Sequence, residues 1–144
     1  MLTVDLTLWG LLLKKFNVES AIEQLSTEND FSIGNDVVFL PDFVASFNPL
    51  FQKKVFTQNE IDYCEQFQES ILRYASTWAA KEAVYKAVKQ VNSKPLPFKK
   101  IEILREKIAG KPSVILPITL KNLNISLSIT HDGDYVWAIA FLKK

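Results

Sequence analysis

Trp78, Glu82 and Lys86 recur every four residues, so they lie along one face of any helix that contains them, with Lys81 and Tyr85 alongside. A glutamate–lysine pair at this spacing on a solvated face contributes only about 0.2–0.5 kcal/mol and needs no function. The alanines around the pair (Ala79, Ala80, Ala83 and Ala87) argue for more, because small side chains let another strand or a ligand come close. Asp36 poses a similar choice. It sits between Asn35 and Val37 in the apolar run 33–40, IGNDVVFL. Either it points to water at a sheet edge, or it is buried and needs a partner, since an isolated buried carboxylate is costly. If Asp36 and Glu82 meet in space, two carboxylates with waters and phosphate oxygens suit Mg²⁺, which keeps much of its hydration. Lys86, one turn beyond Glu82, would then face the same phosphates.

Two further clusters carry weaker signals. Gly110-Lys111-Pro112 reads as a turn between strands that presents a backbone amide and an ammonium to an anion, although an ordinary turn explains it as well. Ser128, Thr130 and His131 place two hydroxyls and an imidazole at a strand end, or simply a surface histidine beside a hairpin. With His131 the single histidine and Cys64 the single cysteine, a His-rich zinc site and an internal disulfide are both excluded. Any metal would be held by oxygen.

The elements that position these residues follow from periodicity and punctuation. Leu6, Trp9, Leu13 and Phe16 form a helical stripe, and Asn17 caps a second helix over 18–25. The run 33–40 predicts a strand that ends at Pro41. Thr57 and Glu60 have capping-box spacing, so a helix begins at Gln58 and runs to about Phe67. The alanine-rich stretch 70–91 predicts a long helix, stopped before Pro95 and Pro97. Beyond it the period becomes two: Ile101 and Ile103; Val114 and Leu116; Ile125, Leu127 and Ile129; then a turn at 131–134 and a closing strand over 135–142. The expected class is α+β, an antiparallel sheet packed against a long helix.

The chain has 144 residues, and 17 basic against 16 acidic side chains leave a net charge of +1. That size suits one domain with its own core, and the weak net charge gives no reason to expect a nucleic-acid or membrane partner. The apolar run 6–13 is far shorter than the ~20 residues needed to span a bilayer. No signal peptide is evident, and the lone thiol suits a reducing compartment, so a cytoplasmic location is expected.

Taken in order, GNDVV at 34–38, FTQNE at 56–60, RYASTWAAKEAVYKA at 73–87, IEI at 101–103, GKP at 110–112 and SITHD at 128–132 resemble the 4′-phosphopantetheinyl transferase superfamily, in its short holo-acyl carrier protein synthase branch. The resemblance covers about residues 33–142 and divides the chain into an N-terminal helical extension, 1–32, and a transferase-like half-fold, 33–144. It implies an enzyme of fatty acid and lipid biosynthesis that moves the phosphopantetheine arm of coenzyme A to a serine of an apo-acyl carrier protein, releasing 3′,5′-ADP with the help of Mg²⁺. By the same match, Asp36 and Glu82 are metal ligands, and Glu82 and Lys86 are catalytic. Lys81, Lys86, Gly110, Lys111, Pro112, Ser128, Thr130 and His131 hold the coenzyme. Glu82, acting through a water, is the favoured acceptor of the serine proton, with Lys81 and Lys86 as alternatives. The resemblance also implies a homotrimer with sites shared between neighbouring subunits, His131 from one and Asp36, Glu82 and Lys86 from the next.

This chain departs from that pattern at several points. The basic residue common after the first motif is replaced by the stretch Phe39-Leu40-Pro41-Asp42, which leaves Lys53, Lys54, Lys99 and Lys100 as alternatives for meeting an acidic carrier. Thr77 stands where bacterial relatives often have arginine, an S-T-W arrangement similar to the transferase domains of fungal fatty acid synthases. A non-catalytic coenzyme A-binding or assembly module of the same fold is the competing reading.

Overall fold

The computed structural model describes residues 30–106 and 110–144, so the two helices expected over 6–25 lie outside the described residues. Strand β1 spans Phe31–Phe39, followed by three short helices, α1 (Leu40–Ser46), α2 (Pro49–Val55) and α3 (Gln58–Cys64). The long helix α4 covers Ser70–Lys89, followed by β2 (Glu102–Leu104), β3 (Ser113–Ile115), β4 (Asn124–Asp132) and β5 (Tyr135–Lys143). The main sheet has three strands in the order β1-β5-β4, antiparallel throughout, while β2 and β3 form a separate antiparallel pair. Helix α4 packs against all three strands of the main sheet. The α+β class expected from the sequence is the class observed.

Local chemistry explains most of these boundaries. The Thr57–Glu60 capping box forms as its spacing predicts: the Thr57 side chain accepts from the Glu60 amide and the Glu60 carboxylate accepts from the Thr57 amide. It opens a helix three residues shorter than expected. Helices α1 and α2 were not anticipated. Pro41 and Pro49 sit in their first turns, where a missing N–H costs nothing, and Asn48 caps α2 through the Phe51 amide. Pro41 therefore starts a helix where it was expected only to end a strand. The predicted turn at 131–134 is also shorter: β4 continues through His131 to Asp132, and Gly133, at φ +54°, opens a two-residue loop.

The alternation in β1 and β5 is inverted relative to a simple hydrophobic-inside pattern. Ser32, Gly34, Asp36 and Val38 of β1 face the helix, as do Val136, Ala138, Ala140 and Leu142 of β5. The large residues Phe31, Ile33, Val37, Phe39, Tyr135, Trp137, Ile139 and Phe141 point the other way and stay 37–56% exposed. Small residues face inward because α4 presents Ala79, Ala80, Ala83 and Ala87, all fully buried, and lies almost on the strand backbone. A Cβ built on Gly34 would stand 1.9 Å from the Ala83 carbonyl oxygen and 2.6 Å from the Ala87 amide nitrogen. Ser32 Oγ donates to the Ala87 carbonyl at 2.8 Å, a second strand-to-helix tie.

Gly34→Ala therefore forces β1 and α4 apart. The expected cost is about 3 kcal/mol, at the upper end of ordinary overpacking because backbone atoms cannot step aside as a side chain would. Urea unfolding of the variant beside the parent measures it, and an unchanged midpoint would contradict the close packing described.

Candidate active site

The contact between β1 and α4 brings together residues 46 positions apart in the chain. Asp36, 8% exposed, faces inward, two residues along β1 from the glycine that permits the close approach. The Lys86 ammonium lies 2.7 Å from Asp36 Oδ1 and donates to the Asn35 carbonyl at 3.0 Å. Asp36 Oδ2 is buried without a hydrogen-bond partner among the described residues. Glu82 is half-buried beside Asp36. Burial, reinforced by the neighbouring carboxylate and only partly offset by Lys86, raises its carboxyl to about 7. Two carboxylates against one ammonium leave the cluster short of positive charge, and an orphaned carboxylate oxygen is an acceptor in want of a cation.

No group of three or more His, Cys, Asp or Glu gathers as a metal cage among the described residues. Two carboxylates are the donor set that Mg²⁺ takes when waters and substrate phosphates complete its octahedron, so Asp36 and Glu82 fit that ion. The two carboxylates can hold a divalent cation, with the half-exposed Lys86 ammonium beside them free to meet an anion.

The Glu82 shift has a stability consequence whose sign is fixed. A carboxyl near 7 in the folded chain and near 4.5 unfolded binds more protons when folded, so its stabilising contribution is present below about pH 4.5 and is lost as pH rises through 7. In metal-free buffer, stability should fall by roughly 1–3 kcal/mol from this group between pH 5 and 7.5. The decline should flatten in Glu82→Gln, as thermal unfolding at several pH values will show.

Lys81 requires a correction. It was expected to face phosphate, but its side chain is fully buried and points away from Asp36. Its ammonium pairs with Glu60 Oε2 at 2.7 Å and donates to the Phe98 carbonyl at 3.1 Å and to the Ile101 carbonyl. Glu60 Oε1 accepts from the Ile103 amide at 2.8 Å, so the pair ties α3, α4 and β2 together. Adjacent helical positions point about 100° apart, which separates Lys81 from the face of Glu82. Burial dominates both groups, raising the Glu60 carboxyl and lowering the Lys81 ammonium against their mutual attraction. The reading of Glu60 as a cap was right but incomplete: no local pattern marks its long-range partner.

The remaining expected residues lie elsewhere in the chain. His131 is on β4, at the opposite edge of the main sheet from Asp36, with β5 between them. Two strand spacings separate those edges, on the order of 10 Å. Ser128 and Thr130 are paired in register with Ile139 and Trp137 on the outer, helix-free face. Gly110, Lys111 and Pro112 precede β3. Gly110 is needed for close approach, since a Cβ there would meet Glu106 Cβ and its amide nitrogen, each at 2.7 Å. Thr77 is buried, and its hydroxyl accepts a hydrogen bond from Arg105, so a guanidinium reaches that position from the segment after β2. Sequence reading had not singled out Arg105.

The site is thus carried by a helix crossing a small antiparallel sheet, with an aspartate on the first strand beside a glutamate and a lysine on the helix. The 4′-phosphopantetheinyl transferase superfamily model matches residues 32–140. The chain is 33% identical over 121 residues to the holo-[acyl-carrier-protein] synthase of Aquifex aeolicus, covering 78% of this chain and 98% of that one. It is 33% identical over 132 residues to the fatty acid synthase subunit alpha of Candida albicans, covering 85% of this chain and 7% of that much longer one. Among solved structures, the ACPS–CoA complex of Chronobacterium ammoniagenes superimposes with a TM-score of 0.68 at 28% identity, covering 78% of this chain and 96% of that one. The chain belongs to the 4′-phosphopantetheinyl transferase superfamily. Within it, the chain is an enzyme of the holo-acyl carrier protein synthase branch.

Proposed function

We propose that the chain transfers the 4′-phosphopantetheine arm of coenzyme A to a serine of an apo-acyl carrier protein, releasing 3′,5′-ADP, and that it does so with Mg²⁺. The observation that carries this reading is the convergence of Asp36, with its orphaned Oδ2, on Glu82 and Lys86. Asp36 and Glu82 would hold the ion, which supplies charge neutralisation on the phosphate oxygens. The serine oxygen attacks the phosphorus that bears the pantetheine arm, the bond from that phosphorus to the bridging oxygen breaks, and 3′,5′-ADP leaves with that oxygen. Lys86 has one donor beyond the two it uses here, and its half-exposed ammonium offsets the charge that develops on the leaving phosphate. Glu82, beside that ion, is the group suited to take the serine proton through a water. Lys81 has no part in that step, since its ammonium is sealed in the core.

The working form in this reading is a homotrimer. On the outer sheet face, β1 and β5 present mostly large apolar side chains, including the stacked Phe31–Phe141 pair at 5.3 Å between ring centroids. A ring of subunits would bury that face by heterologous contacts. It would also let His131, Ser128, Thr130 and the Gly110–Pro112 turn of one subunit reach the coenzyme bound at Asp36, Glu82 and Lys86 of the next. A cytoplasmic setting and a role in fatty acid synthesis complete the reading. The single buried thiol, raised to about 11 by burial, is in keeping with it, and no helix among the described residues is long and apolar enough to cross a membrane.

The test is intact-mass measurement of an apo-acyl carrier protein after incubation with the chain, coenzyme A and Mg²⁺, with and without chelator. One added phosphopantetheine that requires the metal is expected. No gain with any of several carriers would reject the reading, and coenzyme A binding indifferent to Mg²⁺ and to Glu82→Gln would favour a non-catalytic module.

A further inference from the structure

Away from the carboxylates, two adjoining clefts of about 620 and 670 Å³ share Thr57, Pro97, Lys99 and Lys100 and together form one groove. Its floor is apolar, with Leu96 and Leu116 below and Ile115 and Ile118 standing 47% and 78% exposed. Its charged lining is one-sided. Among the described residues, Lys53, Lys94, Lys99 and Lys100 border it against a single carboxylate, Glu102, which Asn59 already engages. In a chain whose net charge is only +1, that excess is local.

The groove is also tied to the helix that carries the site. Phe98, in the turn that bears Lys99 and Lys100, packs on Trp78 and Tyr85 with ring centroids 4.8 and 4.9 Å apart. Those two residues flank Glu82 by about one turn on either side. Meanwhile the stretch 37–52 that follows Asp36 contains Asp42 and no lysine or arginine. Beyond Lys86 itself, that stretch offers an acidic partner no cation, whereas the groove offers four.

We infer that this groove docks an acidic, amphipathic segment of the carrier protein that presents the acceptor serine, its apolar side on Leu96, Ile115 and Ile118 and its carboxylates on the lysine rim. The inference rests on the transferase reading for the identity of the partner, and on the apolar floor and the lysine rim for the surface. Recognition of this kind lays one apolar face into a groove while rim charges steer the approach.

Two measurements separate this inference from the reading beneath it. Fluorescence anisotropy of a labelled apo-acyl carrier protein, and of a labelled helical peptide with glutamate on one face and leucine on the other, reports docking without catalysis. Lys94→Glu with Lys100→Glu should weaken both probes at least tenfold and flatten the salt dependence of binding. Ile118→Asp should do the same with little effect on folding, since that side chain is mostly exposed. Steady-state kinetics should show a KM for the carrier raised at least tenfold and an unchanged KM for coenzyme A. Binding and carrier KM that ignore all three substitutions would overturn the groove while transfer itself stands. Peptide binding that responds to them in a chain that modifies no carrier would keep the groove and reject the transferase reading.

Discussion

Glu82→Gln is expected to lower phosphopantetheine transfer by about 10²–10³-fold, the loss typical when one preorganised electrostatic contact at a charged transition state is removed. Glutamine keeps the shape of the side chain but offers a cation only a neutral oxygen and cannot take a proton. The variant should remain folded and be at least as stable as the parent at pH 7, because the carboxyl it replaces is held near 7 by burial and by Asp36. Asp36→Asn should lose activity on a similar scale, but it also takes the negative charge from the 2.7 Å partner of Lys86, so the affinity for coenzyme A should change with it. Single-turnover transfer followed by mass, with circular dichroism on the same samples, distinguishes a dead site from a lost fold. Transfer within threefold of the parent in both variants would mean that these carboxylates do not form the reaction centre.

Lys81→Met should have the largest effect on stability, a loss of about 3–5 kcal/mol, because Glu60, stripped of its counter-ion in the core, must either stay charged there or take up a proton. The Phe98 and Ile101 carbonyls lose their donor in the same step. Glu60→Leu combined with Lys81→Met should recover part of that loss, since replacing a buried ion pair by apolar groups is far cheaper than breaking it. The recovery will be incomplete: Glu60 also caps α3 and accepts from the Ile103 amide. Denaturant unfolding of the two single variants and the double variant gives the coupling directly. Had Lys81 instead met phosphate, its removal would raise the KM for coenzyme A and spare the fold.

Much of the frame was legible along the chain because it depends on neighbours in sequence. The α3 cap follows from Thr57 and Glu60 three residues apart, and the span of α4 from its alanines and the prolines that follow. The hairpin follows from Gly133 between two alternating runs. Helices α1 and α2 were missed because each is seven residues long, too short to establish a period, and the prolines that open them also read as breaks. The facing of β1 and β5 was hidden for a different reason. Alternation shows that two faces differ, but which of them meets the helix depends on the helix, and an alanine surface accepts glycine, serine and alanine where it would exclude phenylalanine.

By itself the sequence determined the α+β class, the long helix, and the three side chains Asp36, Glu82 and Lys86 as a candidate centre, because residue type and helical spacing are local properties. Only the tertiary structure decided that Gly34 lets β1 rest on α4 closely enough for Asp36 and Lys86 to pair, and that Lys81 turns inward to Glu60. Both outcomes depend on distances between segments remote in sequence, where one Cβ or one buried charge settles the packing.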